Sequence, residues 1–221
     1  MTVLLDRPRI IVMCACTIDG KVAPSSGSSS RSFGERIPAS FTSKLLDLRD
    51  DVDAVMVGSN SVVLDNPRLK GMSKSKIRIV IDSTGKLGEQ HRVISDNGPT
   101  IVLASETTSD EFVKRVQMFK NKKVIRVGDD RVNLAHALKV LGEIGIRTIL
   151  VEGGGTLIYN LLEQRLIDEM RILFIPFFSG DQHAVSVSNG TRPLFPSVRL
   201  EVHHFEFLLG YFLIEGRTAY A

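Results

Sequence analysis

Residues 147–162 read Arg-Thr-Ile-Leu-Val-Glu-Gly-Gly-Gly-Thr-Leu-Ile-Tyr-Asn-Leu-Leu: a short apolar run, three consecutive glycines, then a run of helical period. The pattern predicts a strand over Arg147–Glu152 and a helix starting near Thr156, joined by Gly153, Gly154 and Gly155. Glycine lets the backbone turn tightly and lets a ligand approach it closely. The helix start adds unpaired N–H groups and a positive dipole end that suit a phosphate. Three glycines also make a plain tight connection. Position favours a site, because open α/β sheets place ligands at the carboxyl ends of their strands and Glu152 closes this strand with a carboxylate.

The same alternation runs through most of the chain. Strands are expected over Arg9–Cys16, Asp53–Val57, Ile77–Ile81, Thr100–Leu103, Lys123–Val127 and Met170–Ile175. Helices are expected over Phe41–Arg49, in a short turn after Gly58 that ends before Pro67, from a Ser109 cap through Phe119, and from an Asn133 cap to Ile144, where Gly145 ends it. Thr17–Pro38 reads as irregular, and Pro24–Ser30 within it has the composition of a mobile loop. Leu200–Phe207 and Tyr211–Thr218, separated by Gly210, pattern as an antiparallel hairpin at a sheet edge. The expectation is an α/β fold with a largely parallel central sheet flanked by helices and an antiparallel C-terminal hairpin. A chain of 221 residues with 43% hydrophobic content suits one domain or at most two small ones, and one domain over 1–221 is expected.

Charge and cysteine usage narrow the function classes. A net charge of +3, with Lys and Arg spread along the chain, fits anionic small molecules and argues against nucleic acid. No apolar run approaches the roughly 20 residues that span a bilayer, and the amino terminus lacks a signal-peptide pattern, so no membrane association and a cytoplasmic location are expected. Cys14 and Cys16 have no second pair with which to bind zinc, so they read as buried thiols and no metal is expected. The glycines match neither the dinucleotide fingerprint nor the Walker spacing.

Three segments, taken in order, resemble the reductase domain of riboflavin biosynthesis, a branch of the dihydrofolate-reductase-like fold. They are Thr17-Ile-Asp-Gly-Lys-Val-Ala23, Val57-Gly-Ser-Asn-Ser-Val-Val-Leu-Asp-Asn-Pro-Arg-Leu69 and Leu150-Val-Glu-Gly-Gly-Gly-Thr-Leu157, with Ile81-Asp-Ser83 between the last two. The resemblance extends from about residue 9 to the end. It implies NADPH-dependent reduction of 2,5-diamino-6-ribosylamino-4(3H)-pyrimidinone 5′-phosphate, the ribosyl group becoming ribityl, by a homodimer. The zinc deaminase signature of the bacterial two-domain proteins is absent, so the chain resembles the stand-alone archaeal or fungal kind.

By the same resemblance, Ser61 and Asp65 contact the cofactor, Ser83 lies near the adenosine 2′-phosphate, and Gly153, Gly154, Gly155, Thr156 and Leu157 cradle the pyrophosphate. Main-chain N–H groups suit phosphate oxygens, and a hydroxyl near Lys86 suits the phosphate that separates NADPH from NADH. On sequence alone Ser61 reads equally as a helix cap and Ser83 as a turn residue. Asp19 and Glu152 are the carboxylates expected nearest the substrate, bonding pyrimidine amino groups or assisting protonation. Asp19 has an alternative as an Asp-Gly turn residue bonding its own backbone. Lys21, Ser32, Arg36 and Arg68 are candidates for the ribose phosphate, each of which also reads as a solvated surface group.

Met13, the Lys70–Ser73 continuation after Leu69, and Phe33 where bacterial relatives carry a tryptophan depart from the family pattern. They bear on substrate contacts more than on the cofactor site. Two other readings stand beside the first: a dihydrofolate-reductase-like enzyme acting on a pterin or other heterocycle, and an NADP-binding regulator without turnover.

Overall fold

The computed structural model describes residues 6–25, 27–72 and 76–221. Along the chain the elements are β1 (Arg9–Thr17), a 3-10 helix (Ser30–Arg36), α1 (Ala39–Asp51), β2 (Ala54–Gly58), α2 (Ser59–Asp65) and β3 (Ile77–Ile81). There follow α3 (Arg92–Ser95), β4 (Thr100–Ala104), α4 (Asp110–Gln117), β5 (Lys122–Arg126), α5 (Leu134–Glu143) and β6 (Thr148–Val151). The last are α6 (Gly155–Glu163), β7 (Glu169–Ile175), β8 (Val198–Leu208) and β9 (Tyr211–Tyr220). The expected α/β class, its largely parallel strands and its antiparallel C-terminal hairpin are all present.

Two helices begin where their capping residues predict. Ser109 accepts from the Phe112 N–H and Asn133 from the His136 N–H, each satisfying a donor the helix cannot pair internally. Two elements depart from expectation. The stretch read as irregular contains the 3-10 helix, started by the Ser29 hydroxyl accepting from the Arg31 N–H and anchored by Phe33, which is buried. The four-residue α3 is too short to show a period. Ser26 and Ser73, parts of the Pro24–Ser30 loop and of the Lys70–Ser73 continuation, lie outside the described residues.

The chain forms two compact units, one of residues 1–9 and 46–150, the other of residues 10–45 and 151–221. In the first, the strand order is β5-β4-β3-β2-β6, and β2, β3, β4 and β5 pair in parallel. The register sets Gly58 beside Ile81, Ile81 beside Leu103 and Ala104 beside Arg126. The four strands therefore end together, and the segments that follow them emerge on one edge. At the opposite end, the fully buried Arg78 donates from both terminal nitrogens to Asp96 and also to the Gly98 carbonyl and the Thr100 hydroxyl.

In the second unit the order is β1-β7-β9-β8, with β1 and β7 parallel and β9 antiparallel to both β7 and β8. Thr17 pairs with Ile175, so the segments after β1 and β7 also leave from one edge. Cys14 and Cys16 are buried free thiols in β1, and burial pushes both pKa values up. Met13 is 2% exposed, which makes it a core residue of the strand.

Candidate active site

In the second unit the chain turns at Thr17–Gly20, where the Gly20 N–H donates to the Thr17 carbonyl and Gly20 has φ +75°. Asp19, exposed at this turn, accepts from the Thr17 hydroxyl, the Gly180 N–H at 2.9 Å and the Ser179 N–H at 3.1 Å. The carboxylate therefore bonds the loop after β7. Those bonds, the Thr17 hydroxyl first, hold the Asp19 pKa down at about 2. Asp19 carries its charge throughout the neutral range.

A carboxyl whose folded pKa is depressed contributes stability above its ordinary pKa of 3.8 and loses it as pH falls through the folded value. The tie between the two loops is thus complete above about pH 4 and released near pH 2. Asp19→Asn keeps the shape and removes the charge. It is expected to speed hydrogen exchange at Ser179 and Gly180 by about tenfold at pH 7, the loss of one charge-assisted bond. Exchange unchanged from the parent would show that the carboxylate does not hold this loop.

Lys21 lies beyond the turn. Its ammonium donates to the Ala184 carbonyl at 3.0 Å and the Ser186 hydroxyl at 3.1 Å. The Val22 N–H donates to the Val185 carbonyl and the Val187 N–H to the Gly20 carbonyl, so residues 184–187 run beside residues 20–22. This strap also reaches the glycines, since the Asn189 N–H donates to the Gly155 carbonyl and a Cβ on Gly155 would lie 2.1 Å from the Ser186 carbonyl oxygen. Gly153 and Gly154 have φ of +129° and +93°, a region L side chains rarely enter. No side chain caps α6, which begins at Gly155. Backbone donors at an uncapped helix start, closely packed by the strap, fit a phosphate group. Glu152, half-buried, immediately precedes these glycines.

Ser32 and Arg36 sit on the exposed side of the 3-10 helix, and the Arg36 guanidinium lies over the Phe177 ring, 4.8 Å from its centroid. Asp19, Lys21, Arg36 and the glycines are thus brought into one constellation through residues 177–189. Sequence reasoning missed Thr17, Phe177, Ser186 and Asn189. Only Thr17, two residues before Asp19, carried a local signal, as a hydroxyl able to bond within its own turn.

Thr156, exposed, and Leu157, buried, follow the glycines in α6, and the other candidates belong to the first unit. Ser61 and Asp65 are half-buried on α2, whose N-cap is Gly58, so Ser61 does not cap the helix. Arg68 is exposed just beyond it. After β3, the fully buried Asp82 accepts from the Lys86 and Leu87 N–H groups, which fixes the loop that carries Ser83 and Lys86. The Ser83 hydroxyl accepts from the Val132 N–H and keeps its own proton to donate. The Lys86 ammonium donates to the Asn60 side-chain oxygen at 3.0 Å. Ser105, Thr107 and Thr108 gather their hydroxyls beside the Ser83 carbonyl at the end of β4. Among the described residues, no group of three or more His, Cys, Asp or Glu side chains could hold a metal ion.

Residues 8–208 match the model of the RibD C-terminal domain. The chain belongs to that family. A Methanothermobacter thermautotrophicus protein named 2,5-diamino-6-ribosylamino-4(3H)-pyrimidinone 5′-phosphate reductase is 33% identical over 220 residues, covering 96% of this chain and 98% of that protein. An Archaeoglobus fulgidus protein of the same name is 33% identical over 198 residues, 83% of this chain and 87% of that protein. Among solved structures, RibD of Acinetobacter baumannii superposes with a TM-score of 0.77 at 18% identity, over 97% of this chain and 58% of that one. The riboflavin biosynthesis reductase of Saccharomyces superposes with a TM-score of 0.71 at 22% identity, over 99% and 93% of the two chains. At these identities the structural likeness concerns the fold that RibD-family chains share.

Proposed function

We propose that this chain reduces 2,5-diamino-6-ribosylamino-4(3H)-pyrimidinone 5′-phosphate with NADPH, converting its ribosylamino group to ribitylamino. The observation that carries the reading is 33% identity, over 96% of the chain, to a protein named for that reaction. When bound, the reduced nicotinamide supplies one hydride to C1′ of the ring-opened C1′=N imine, and a proton delivered to the nitrogen completes the secondary amine. In this reading the backbone of Gly153 to Leu157 takes the pyrophosphate, while Ser61, Asp65 and Ser83 make the other cofactor contacts.

Asp19, already ionised and engaged by three donors, fixes the substrate loop and contributes a constant negative charge. Glu152 is the carboxylate assigned to the proton. Lys21, Ser32, Arg36 and Arg68 provide the positive and hydroxyl groups for the ribose phosphate. The whole chain acts as one reductase, without metal, in the cytoplasm.

A homodimer fits the uncovered side of the hairpin. Phe205, Phe207 and Phe212 share one face there, with ring centroids 5.9 and 5.2 Å apart, and Phe207 is 63% exposed. An apolar face of this kind on an edge hairpin is better covered by a second copy than left in water.

The reading is tested by following loss of NADPH absorbance with freshly generated ribosylamino-pyrimidinone phosphate, and with dihydrofolate for comparison. Turnover with the former alone is expected; turnover with dihydrofolate alone would move the chain to pterin chemistry. Cofactor preference has its own test. Lys86→Ala removes the cation on the loop of Ser83, the residue assigned to the 2′-phosphate, and the ratio of kcat/KM for NADPH to that for NADH is expected to fall about tenfold, one charge-assisted contact. An unchanged ratio would take Lys86 out of the site.

A further inference from the structure

The guanidinium of Arg36 is held differently from those of Arg78, Arg126, Arg171 and Arg199, which are paired with Asp96, Asp110, Glu169 and Glu201. Arg36 has no carboxylate partner among the described side chains, and its guanidinium lies over the Phe177 ring. A guanidinium stacked on a ring uses its flat face and keeps its five N–H donors, which lie in its plane. One tied to a carboxylate has spent one of them, or two as at Arg78. The arrangement at Arg36 is that of a cation held in place with its hydrogen-bonding edge available.

Phe177 is itself fixed from several sides. Its N–H donates to the Ile175 carbonyl at 2.8 Å, and its carbonyl accepts from the Ile18 N–H at 2.9 Å. The next residues are held by Asp19 and by the Ser179 hydroxyl, which donates to the Pro24 carbonyl at 2.7 Å. The ring is nevertheless 39% exposed, at the shared carboxyl edge of β1 and β7. Phenylalanine left half in water on a fixed backbone, under an arginine without a carboxylate partner, is unexplained by packing alone.

We infer that Phe177 is a positioning residue for substrate phosphate recognition: it holds the Arg36 guanidinium so that its N–H edge grips the 5′-phosphate of the ribosylamino-pyrimidinone in bidentate fashion. The inference rests on the substrate reading given above. Phosphate matches the planar fork of arginine, and lysine cannot stack or fork in the same way.

Steady-state kinetics of the full chain test it, with the phosphorylated substrate and its dephosphorylated counterpart. Phe177→Leu is expected to raise KM for the phosphorylated substrate about fivefold, the value of one partly exposed cation–π contact, with kcat and the KM for NADPH little changed. The KM for the dephosphorylated substrate is expected to stay as in the parent, and Phe177→Tyr to restore the phosphorylated KM. Arg36→Lys, an exposed substitution that keeps the charge, is expected to match Phe177→Leu and serves if that variant does not fold. An equal rise in KM for both substrates, a loss confined to kcat, or Arg36→Lys behaving as the parent overturns the inference alone. Absence of turnover by the unaltered chain overturns the functional reading, and this inference with it.

Discussion

Gly155→Ala is expected to abolish measurable NADPH binding and to lower the melting temperature by roughly 6–12 °C. The added Cβ would lie 2.1 Å from the Ser186 carbonyl oxygen, 2.9 Å from Val185 and 3.1 Å from Asn189. The nearest atom is backbone, so no side-chain rotation relieves the clash, and the strap or the helix start must move. The strap is tied at both ends, to Gly20 and Val22 on one side and to Gly155 on the other, and Lys21 donates to it at Ala184 and Ser186. A displacement there therefore disturbs the donors assigned to the pyrophosphate and the Lys21 ammonium together. Overpacking of this kind costs about 3 kcal/mol, and a chain of this size loses roughly 2–4 °C per kcal/mol. Fluorescence titration with NADPH and thermal melting measure the two effects. Gly34→Ala, where a Cβ meets nothing within 4 Å and the residue caps no helix, is the reference and should melt with the parent.

Arg78→Met should destabilise the protein more than any surface charge change, by about 3 kcal/mol. Arg78 is 1% exposed and makes a bidentate pair with Asp96 at 2.6 and 2.8 Å, besides bonds to Gly98 and Thr100. Burial alone would raise the Asp96 pKa, but the Arg78 hydrogen bonds outweigh it and hold the value below the ordinary range. Methionine fills most of the space, so the loss isolates the stranded carboxylate; the Gly98 and Val93 carbonyls keep Lys122 and the Thr100 hydroxyl as donors. Lys122, which donates to the Asp96 and Gly98 carbonyls, keeps part of the corner intact and places the cost at the lower end of the range for broken buried pairs. Urea denaturation should give the figure, and Arg78→Met combined with Asp96→Leu should recover part of it. A midpoint equal to the parent's would mean that the corner is held by Lys122 alone.

The elements that were legible in the sequence carry local signals. Ser109 and Asn133 cap their helices within four residues of the donors they satisfy. Ile77–Ile81 is a strand despite Arg78 in its middle, because four apolar residues surround the charge. The arginine's partner lies 18 residues on, beyond the reach of any local pattern. The site divides in the same way. The glycines and Asp19 were readable as a place where ligands approach, yet the carboxylate's donors, Ser179 and Gly180, stand 160 and 161 residues away. Sequence could weigh Asp19 as catalyst or as turn former, but not as the tie between two loops. Phe177 gave no signal at all, being one more aromatic at the end of an apolar strand.

The second unit is assembled from both ends of the chain, and this sets an order of events during synthesis. Residues 46–150 leave the ribosome as an almost complete unit, whereas β1 must wait for β7. The Ile10 N–H finds the Asp168 carboxylate 158 residues later. At the usual rate of roughly 5–20 residues per second, the Ile-Ile-Val-Met-Cys-Ala-Cys run of β1 stays without this partner for on the order of ten seconds or more. Such a run is uncharged and rich in strand formers, so the nascent chain passes through a period in which β1 is exposed as an aggregation-prone segment.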